Sequence, residues 1–249
     1  MQFRFGDTIL AVTHPDLAAL QSAVRARLAA GQGFALATLN LDHLVKLGRS
    51  AAFRRAYAAQ DMVVADGNPI VWLSRLAGKP VELLPGSDLV LPLVRDCAAA
   101  GRGLALVGAT DAALIAAEAR LLAEVPGLKV VLRHAPPMGF DPEGPAAAAL
   151  LAKVAASGAG LCLIALGAPK QEMFAARGRS LAPAVGFASI GAGLDFLAGT
   201  QVRAPQWVRR FALEWLWRAL SSPRRLIPRY AACAAILPGQ MLAALRQRR

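Results

Sequence analysis

In QDMVVADGNPIVW, residues 60–72, an acid stands where a short apolar run meets a glycine, an asparagine and a proline. Two roles suit Asp66. Asp, Asn and Pro are all favoured around a helix start, so Asp66 could cap the helix that Pro69 opens. Its carboxylate could instead face a substrate and take a proton from it. Small and polar residues recur at the same kind of boundary: Thr38 and Asn40 at the end of FALATLN, Gly67 and Asn68 beside Asp66, Gly108 to Asp111 in LALVGATD, Gly167 to Glu172 in LCLIALGAPKQE, and Gly191 to Asp195 in AVGFASIGAGLDF. Each has a local explanation, as a cap or as a tight turn with glycine at positive φ. A glycine turn that opens a helix can also hold a phosphate on backbone N–H groups. GATDAA and GAPKQE are neither GxGxxG nor a Walker A loop, which argues against a dinucleotide oxidoreductase and a P-loop NTPase. HExxH and paired CxxC motifs are absent, and His14, His43 and His134 lie far apart, so metal catalysis has little support. His43 alone lies near a candidate strand end, where a structural histidine is the commoner case.

The elements that must position these residues alternate. A peripheral lead-in of thirty residues carries a helix over DLAALQSAVRARLAA; strand FALATLN and a helix over 41–59 follow. Next come the strand into Asp66, a helix from about Pro69, the loop GKPVELLPGSD, and a helix from about Asp88. LALVGATD, LCLIALGAPKQE and AVGFASIGAGLDF each read as strand, turn and helix; LKVVLRHAPP is a strand and GPAAAALLAKVAAS a helix. Short, continuously apolar strands alternating with helices argue for a parallel sheet covered on both faces. The expectation is an α/β, doubly wound, Rossmann-like fold over residues 1–200, with a basic helical appendage over 201–249. In such sheets ligands bind beyond the carboxyl ends of the strands, which is where the candidates fall.

The 249 residues are 56% hydrophobic and 18% charged, which excludes a disordered chain. Cys97, Cys162 and Cys233 are far apart and match no metal spacing, as expected of buried thiols in a reducing compartment. MQFRFGDTIL has no secretory pattern, so a cytoplasmic location is expected. The net charge of +12 is concentrated: residues 201–249 hold ten arginines against Glu214 alone, a balance of +9, together with Trp207, Trp215 and Trp217.

TLNLDHL, ADGNPIVW, PGSDL, GAPKQE, GAGLDFLAG and RAPQW…LEWLWRAL…PRR, in this order and spacing from about Thr38 to Arg225, closely resemble the WecG/TagA/CpsF family of bacterial glycosyltransferases. The resemblance implies inverting, metal-independent transfer of a sugar from a nucleotide-sugar, usually a UDP-sugar, to a polyprenyl-diphosphate-linked sugar at the inner membrane face, with no cofactor. It implies Asp66 as general base and Thr38 and Asn40 lining the pocket. By the same resemblance Gln171, Gly167 and Lys170 contact the donor. Asp195 either holds a substrate hydroxyl or caps a turn, and Arg203 either meets a diphosphate or forms a surface ion pair. The family's arginine before the PG step, which helps hold the diphosphate, is replaced here: VELLPGSD has Leu83 in its place. An arginine of the C-terminal segment is one substitute.

That segment's basic and aromatic content admits a nucleic-acid binder, a membrane-surface element or a solvated face. Pro228, Pro238 and Gly239 interrupt LIPRYAACAAILPGQMLAAL, leaving no clean span of about 20 residues. The reading is a segment lying on an anionic bilayer surface, with Arg203, Arg210, Arg218, Arg224 and Arg225 serving headgroups or the acceptor diphosphate, and no nucleic acid as partner. The rival is a basic nucleotide- or nucleic-acid-binding module without transferase activity, which Leu83 favours. An apolar chain with little charge on its core also leaves room for a homo-oligomer.

Overall fold

A computed structural model describes residues 1–201, 205, 217 and 223–248. Arg203, Arg210 and Arg218, with Trp207 and Trp215, lie outside the described residues, as does the side chain of Arg225.

An antiparallel hairpin, β1 (Gln2–Phe5) and β2 (Thr8–Ala11), leads into α1 (Leu17–Ala30). The main run is β3 (Phe34–Leu39), α2 (Leu41–Arg49), α3 (Ala51–Ala58), β4 (Met62–Ala65), α4 (Asn68–Leu76), α5 (Gly86–Ala99), β5 (Gly103–Gly108), α6 (Asp111–Glu124) and β6 (Lys129–His134). It continues with α7 (Pro145–Ala156), β7 (Ala159–Ala165), α8 (Lys170–Leu181), β8 (Gly186–Ser189) and α9 (Gly193–Ala198). We label the last described helix, Pro223–Gln247, α10.

Six strands form one parallel sheet in the order β4-β3-β8-β7-β5-β6. β3, β4, β5 and β8 are buried at every position, as strands covered on both faces must be. Leucines and valines of α1, α5 and α6, with Leu194 of α9, pack on one face. α7 and α8 cover the other face, continued by a cluster from α2, α3, α4, the hairpin and α10. The expected doubly wound α/β architecture is present.

Three elements differ from the expectation. The lead-in is part of the core: Met1, Phe3 and Leu10 are buried with Leu39 and Val63. The helix expected over 41–59 is two, because Ser50 ends α2 in extended backbone and its hydroxyl accepts from Phe53 N at 3.1 Å to start α3. Finally, α5 begins at Gly86, two residues before Asp88. A Cβ on Gly86 would lie 2.7 Å from the Ile190 carbonyl, so only glycine lets this helix start abut the end of β8.

Candidate functional site

The chain steps from β3 to β4 in one direction and from β5 to β6 in the other, and β7 and β8 fill the interval. The crevice of such a sheet opens at the carboxyl ends of the strands around the reversal. Asp66 follows β4, Asn40 follows β3, Gly191 lies just after β8, and Gly167 to Gln171 follow β7. The strand order therefore brings four of the candidate motifs side by side.

Asp66 does not occupy the cap position. The N-cap of α4 is Gly67, without a side-chain cap hydrogen bond, and Asn68 opens the helix. Asp66 N donates to Leu39 O at 2.7 Å, which ties the ends of β3 and β4 together. Its carboxylate accepts from Asn40 Nδ2, a long bond of 3.4 Å. Asn40 is itself the N-cap of α2, its Oδ1 accepting from His43 N at 3.0 Å. That cap fixes which end of the amide faces Asp66, since a reversed amide would lose the His43 bond. Gly67 has φ +103°, and a Cβ there would make only ordinary contacts, 3.8 Å from Pro69 and 3.9 Å from Asn40. Backbone conformation rather than close approach accounts for this glycine.

Behind the crevice lies a buried polar layer. Thr38 is 3% exposed, and its hydroxyl donates to Ser189 O at 3.4 Å. The Tyr57 hydroxyl donates to Thr38 O at 3.3 Å and lies 2.8 Å from His43 Nδ1. Burial pushes His43 down to about 3, so its ring is neutral. The Tyr57 hydroxyl and His43 Nδ1 share one hydrogen bond, whose donor the histidine tautomer decides. Burial raises the Tyr57 phenol, and the nearby charges of Glu172 and Asp66 raise it further. The histidine is structural, as its type made most common, and it works together with Tyr57.

Gln171 and Glu172 open α8 and are wholly enclosed, at 2% and 0% exposure. Gln171 Oε1 accepts from Gly191 N at 3.2 Å, and its Nε2 donates to Glu172 Oε1 at 2.9 Å. Burial raises Glu172 to about 7, against the lowering effect of the Gln171 bond. Lys170, half-buried in the same turn, makes no hydrogen bond or ion pair among the described residues, and Gly167 is exposed at φ +70°. Lys46 of α2 reaches this turn, its Nζ donating to Ala168 O at 3.0 Å while pairing with Asp42 at 2.8 Å. Arg229 of α10 pairs with the same Asp42 at 3.0 Å, which fastens α10 beside the crevice.

Gly108 ends β5 at φ +111°, where a Cβ would lie 2.4 Å from Ala165 O. Packing against β7 therefore demands this glycine, and Thr110 caps α6 by accepting from Ala113 N at 3.2 Å. Asp195 turns toward its own helix end, accepting from Thr200 Oγ1 at 3.4 Å and Gln201 Nε2 at 3.3 Å. Partial burial raises its pKa against the Thr200 bond.

Leu83 falls at an informative place. Leu84 N donates to Ala65 O at 2.8 Å, and Gly86 abuts Ile190. The segment thus runs from the end of β4 to the end of β8, the two strands that flank β3. Leu83, 40% exposed, is a neighbour of the strand end that carries Asp66. Residues missed in the sequence are Tyr57, Lys46, Asp42 and Arg229; a tyrosine in an otherwise apolar helical face was the signal for the first. Among the described residues no three His, Cys, Asp or Glu side chains are grouped to hold a metal ion.

The sequence profile of the family described as "Glycosyl transferase WecG/TagA/CpsF family" matches residues 8–249. A protein of Bacillus spizizenii, named N-acetylglucosaminyldiphosphoundecaprenol N-acetyl-beta-D-mannosaminyltransferase, is 27% identical over 206 residues, covering 80% of this chain and 77% of that protein.

Proposed function

The chain belongs to the WecG/TagA/CpsF family of glycosyltransferases, and from that premise we propose that it moves an N-acetylhexosaminyl or hexosyl group from a UDP-sugar to a polyprenyl-diphosphate-linked sugar, with inversion and without a metal, in bacterial surface polysaccharide synthesis. The observation that carries this reading is Asp66: a carboxylate at the carboxyl end of β4, oriented by the capped amide of Asn40. In the proposed step the acceptor hydroxyl oxygen attacks the anomeric carbon as its proton passes to Asp66. The bond from that carbon to the diphosphate oxygen breaks, and UDP leaves with the electron pair. A single displacement needs one base and inverts the centre, and positioned base catalysis of this kind contributes roughly 10²–10⁴-fold.

On this reading Asn40, Gly67 and Asn68 line the acceptor side, and Thr38 backs it from the buried layer. Gly108, Gly167, Lys170 and Gln171 form or shape the donor side, where Lys170, whose side chain makes no ion pair among the described residues, offers its ammonium to the diphosphate. Asp195 belongs to the rim. With Leu83 lacking charge, arginines of the 201–249 segment (Arg203, Arg210, Arg218, Arg224 and Arg225) supply the diphosphate's counter-charge and meet anionic lipid. α10 supports the lipid part of this proposal. Its exposed Ile227, Met241, Leu242 and Leu245 share one side at 100° per residue, with exposed Arg224 and Arg246 near its ends. No helix among the described residues is long and apolar enough to cross a membrane.

The test is UDP release from a panel of UDP-sugars with N-acetylglucosaminyl-diphosphate-undecaprenol as acceptor, for wild type and Asp66→Asn. Turnover of one donor, with kcat reduced on the order of 10²-fold or more in the near-isosteric variant, is the expected result. Equal turnover by both proteins would remove Asp66 from the mechanism.

A further inference from the structure

Glu172 is a fully buried carboxyl that the proposed transfer step does not use. Its Oε1 accepts from Gln171 Nε2 at 2.9 Å, and its Oε2, also buried, has no hydrogen-bond partner among the described residues. Gln171 in turn accepts from Gly191 N at 3.2 Å. Gly191, at φ +58°, begins the turn from β8 into α9, in the middle of the sheet's carboxyl edge. The Gly191 N–H, which only donates, calls for Oε1 of the glutamine amide. An ionised carboxylate, which only accepts, calls for Nε2 at the other end, so the two partners enforce one orientation of Gln171. A protonated carboxyl can donate as well as accept. It then no longer enforces that orientation, and the Gly191 bond is held by its own preference alone.

We propose that Glu172 is a positioning residue of the transfer reaction, which through Gln171 holds the Gly191 turn in the form that receives the nucleotide-sugar. This rests on the donor reading given above. The ionised acid is the holding state. Among the described residues, its own helix carries Lys170, Arg177 and Arg179, and the elements packed against it add few charged or titratable groups. Lys46 of α2 favours the ionised form, and Tyr57 of α3 shares its field with Asp66. Arg54, also on α3, is turned to Leu47 O, and Arg55 completes that helix's charges. α7 carries only Lys153, in its last turn. β3 and β8 contain no acid or base, and β7 only the Cys162 thiol, which burial keeps protonated. With burial raising Glu172 to about 7, the hold loosens as pH falls through neutrality.

The experiment follows the Gly191 backbone amide and the Gln171 side-chain amide by ¹H–¹⁵N spectroscopy of the full chain from pH 5.5 to 8.5, with UDP binding measured by calorimetry over the same range. In wild type both resonances should move on one curve with a midpoint about 7. UDP affinity should fall roughly two- to tenfold toward low pH, the effect of one lost neutral hydrogen bond. In Glu172→Gln both dependences should vanish while thermal unfolding stays cooperative. Should that variant fail to fold, Gln171→Ala, which cuts the relay and keeps the acid, should abolish the Gly191 titration. A Gly191 amide that does not titrate, or titrates alike in the variants, overturns the proposal, and so does a titrating Gly191 with UDP affinity flat across the range. Absence of UDP binding at every pH is a separate failure, that of the donor reading.

Discussion

Asn40 joins a structural role to the proposed chemical one. Its Oδ1 caps α2 through His43 N, and its Nδ2 meets Asp66. Asn40→Ala should therefore cost both the cap, about 1 kcal/mol of stability, and the orientation of Asp66, the proposed base. Loss of a hydrogen bond to a charged group, roughly 1.5–3 kcal/mol, corresponds to about a 10- to 100-fold fall in kcat. Asn40→Ser retains a capping oxygen without the second donor, so it should keep the melting temperature and still lose kcat; steady-state rates beside thermal melts read out the difference. Leu83 permits the opposite experiment. Because it lies exposed beside the end of β4, Leu83→Arg should fold normally and lower KM for the UDP-sugar about tenfold, if a guanidinium there meets the diphosphate in charge-assisted bonds. An unchanged KM would place the diphosphate elsewhere.

At the scale of elements, the parallel sheet was legible because its strands are short and, apart from the edge strand β6, almost wholly apolar, and because each ends in a residue unsuited to a strand. Burial on both faces leaves no alternation, and that uniformity is the signal. The hairpin was not read, although Gly6 and Asp7 between QFRF and TILA make a turn; four-residue strands give periodicity too little length. The α2–α3 break depends on a single serine in an otherwise helical run. In the site, the positions of Asp66, Asn40 and the 167–171 turn followed from the strand ends. The enclosure of Gln171 and Glu172 did not, since polar residues at a helix start are ordinarily exposed and only tertiary packing buries them. That enclosure has an energetic consequence. Glu172 has a folded value of about 7 against an ordinary 4.5, so between those values the fold holds a proton that the unfolded chain releases. Stability therefore falls as pH rises through this interval. Glu172→Gln, which never ionises, should gain on wild type by on the order of 3 kcal/mol at pH 8 and by little at pH 4.5. Denaturant titrations at the two pH values test this, and a pH-independent difference would show that the acid is not held protonated by the fold.

The whole molecule is asymmetric in a way that bears on where it works. The N-terminal hairpin and α10 share one hydrophobic cluster: Cys233 and Ala244 of α10 are buried with Phe3, Leu10 and residues of α2 and α4, and Gln2 and Gln247 exchange hydrogen bonds at 2.9 and 2.7 Å. Deleting α10 would thus uncover core, and lost membrane binding in such a truncation would be ambiguous. Substitutions on its outer side avoid that difficulty. Ile227 and Leu242 are 58% and 60% exposed, so a glutamate at either adds charge where no core is disturbed. If α10 lies in the headgroup region of the bilayer, Ile227→Glu with Leu242→Glu should greatly weaken sedimentation with vesicles of anionic and neutral phospholipid at physiological salt. Buried apolar side chains contribute about 1.5–3 kcal/mol each, and each new charge is repelled by the anionic surface. Turnover of a short-chain, water-soluble acceptor should be unaffected, because the crevice is formed by strand ends that these residues do not line. Binding of the double variant equal to wild type would assign the membrane contact to another part of the basic segment. Loss of turnover on the soluble acceptor as well would mean that the side of α10 bearing Ile227 and Leu242, and not only its arginines, contributes to the reaction site.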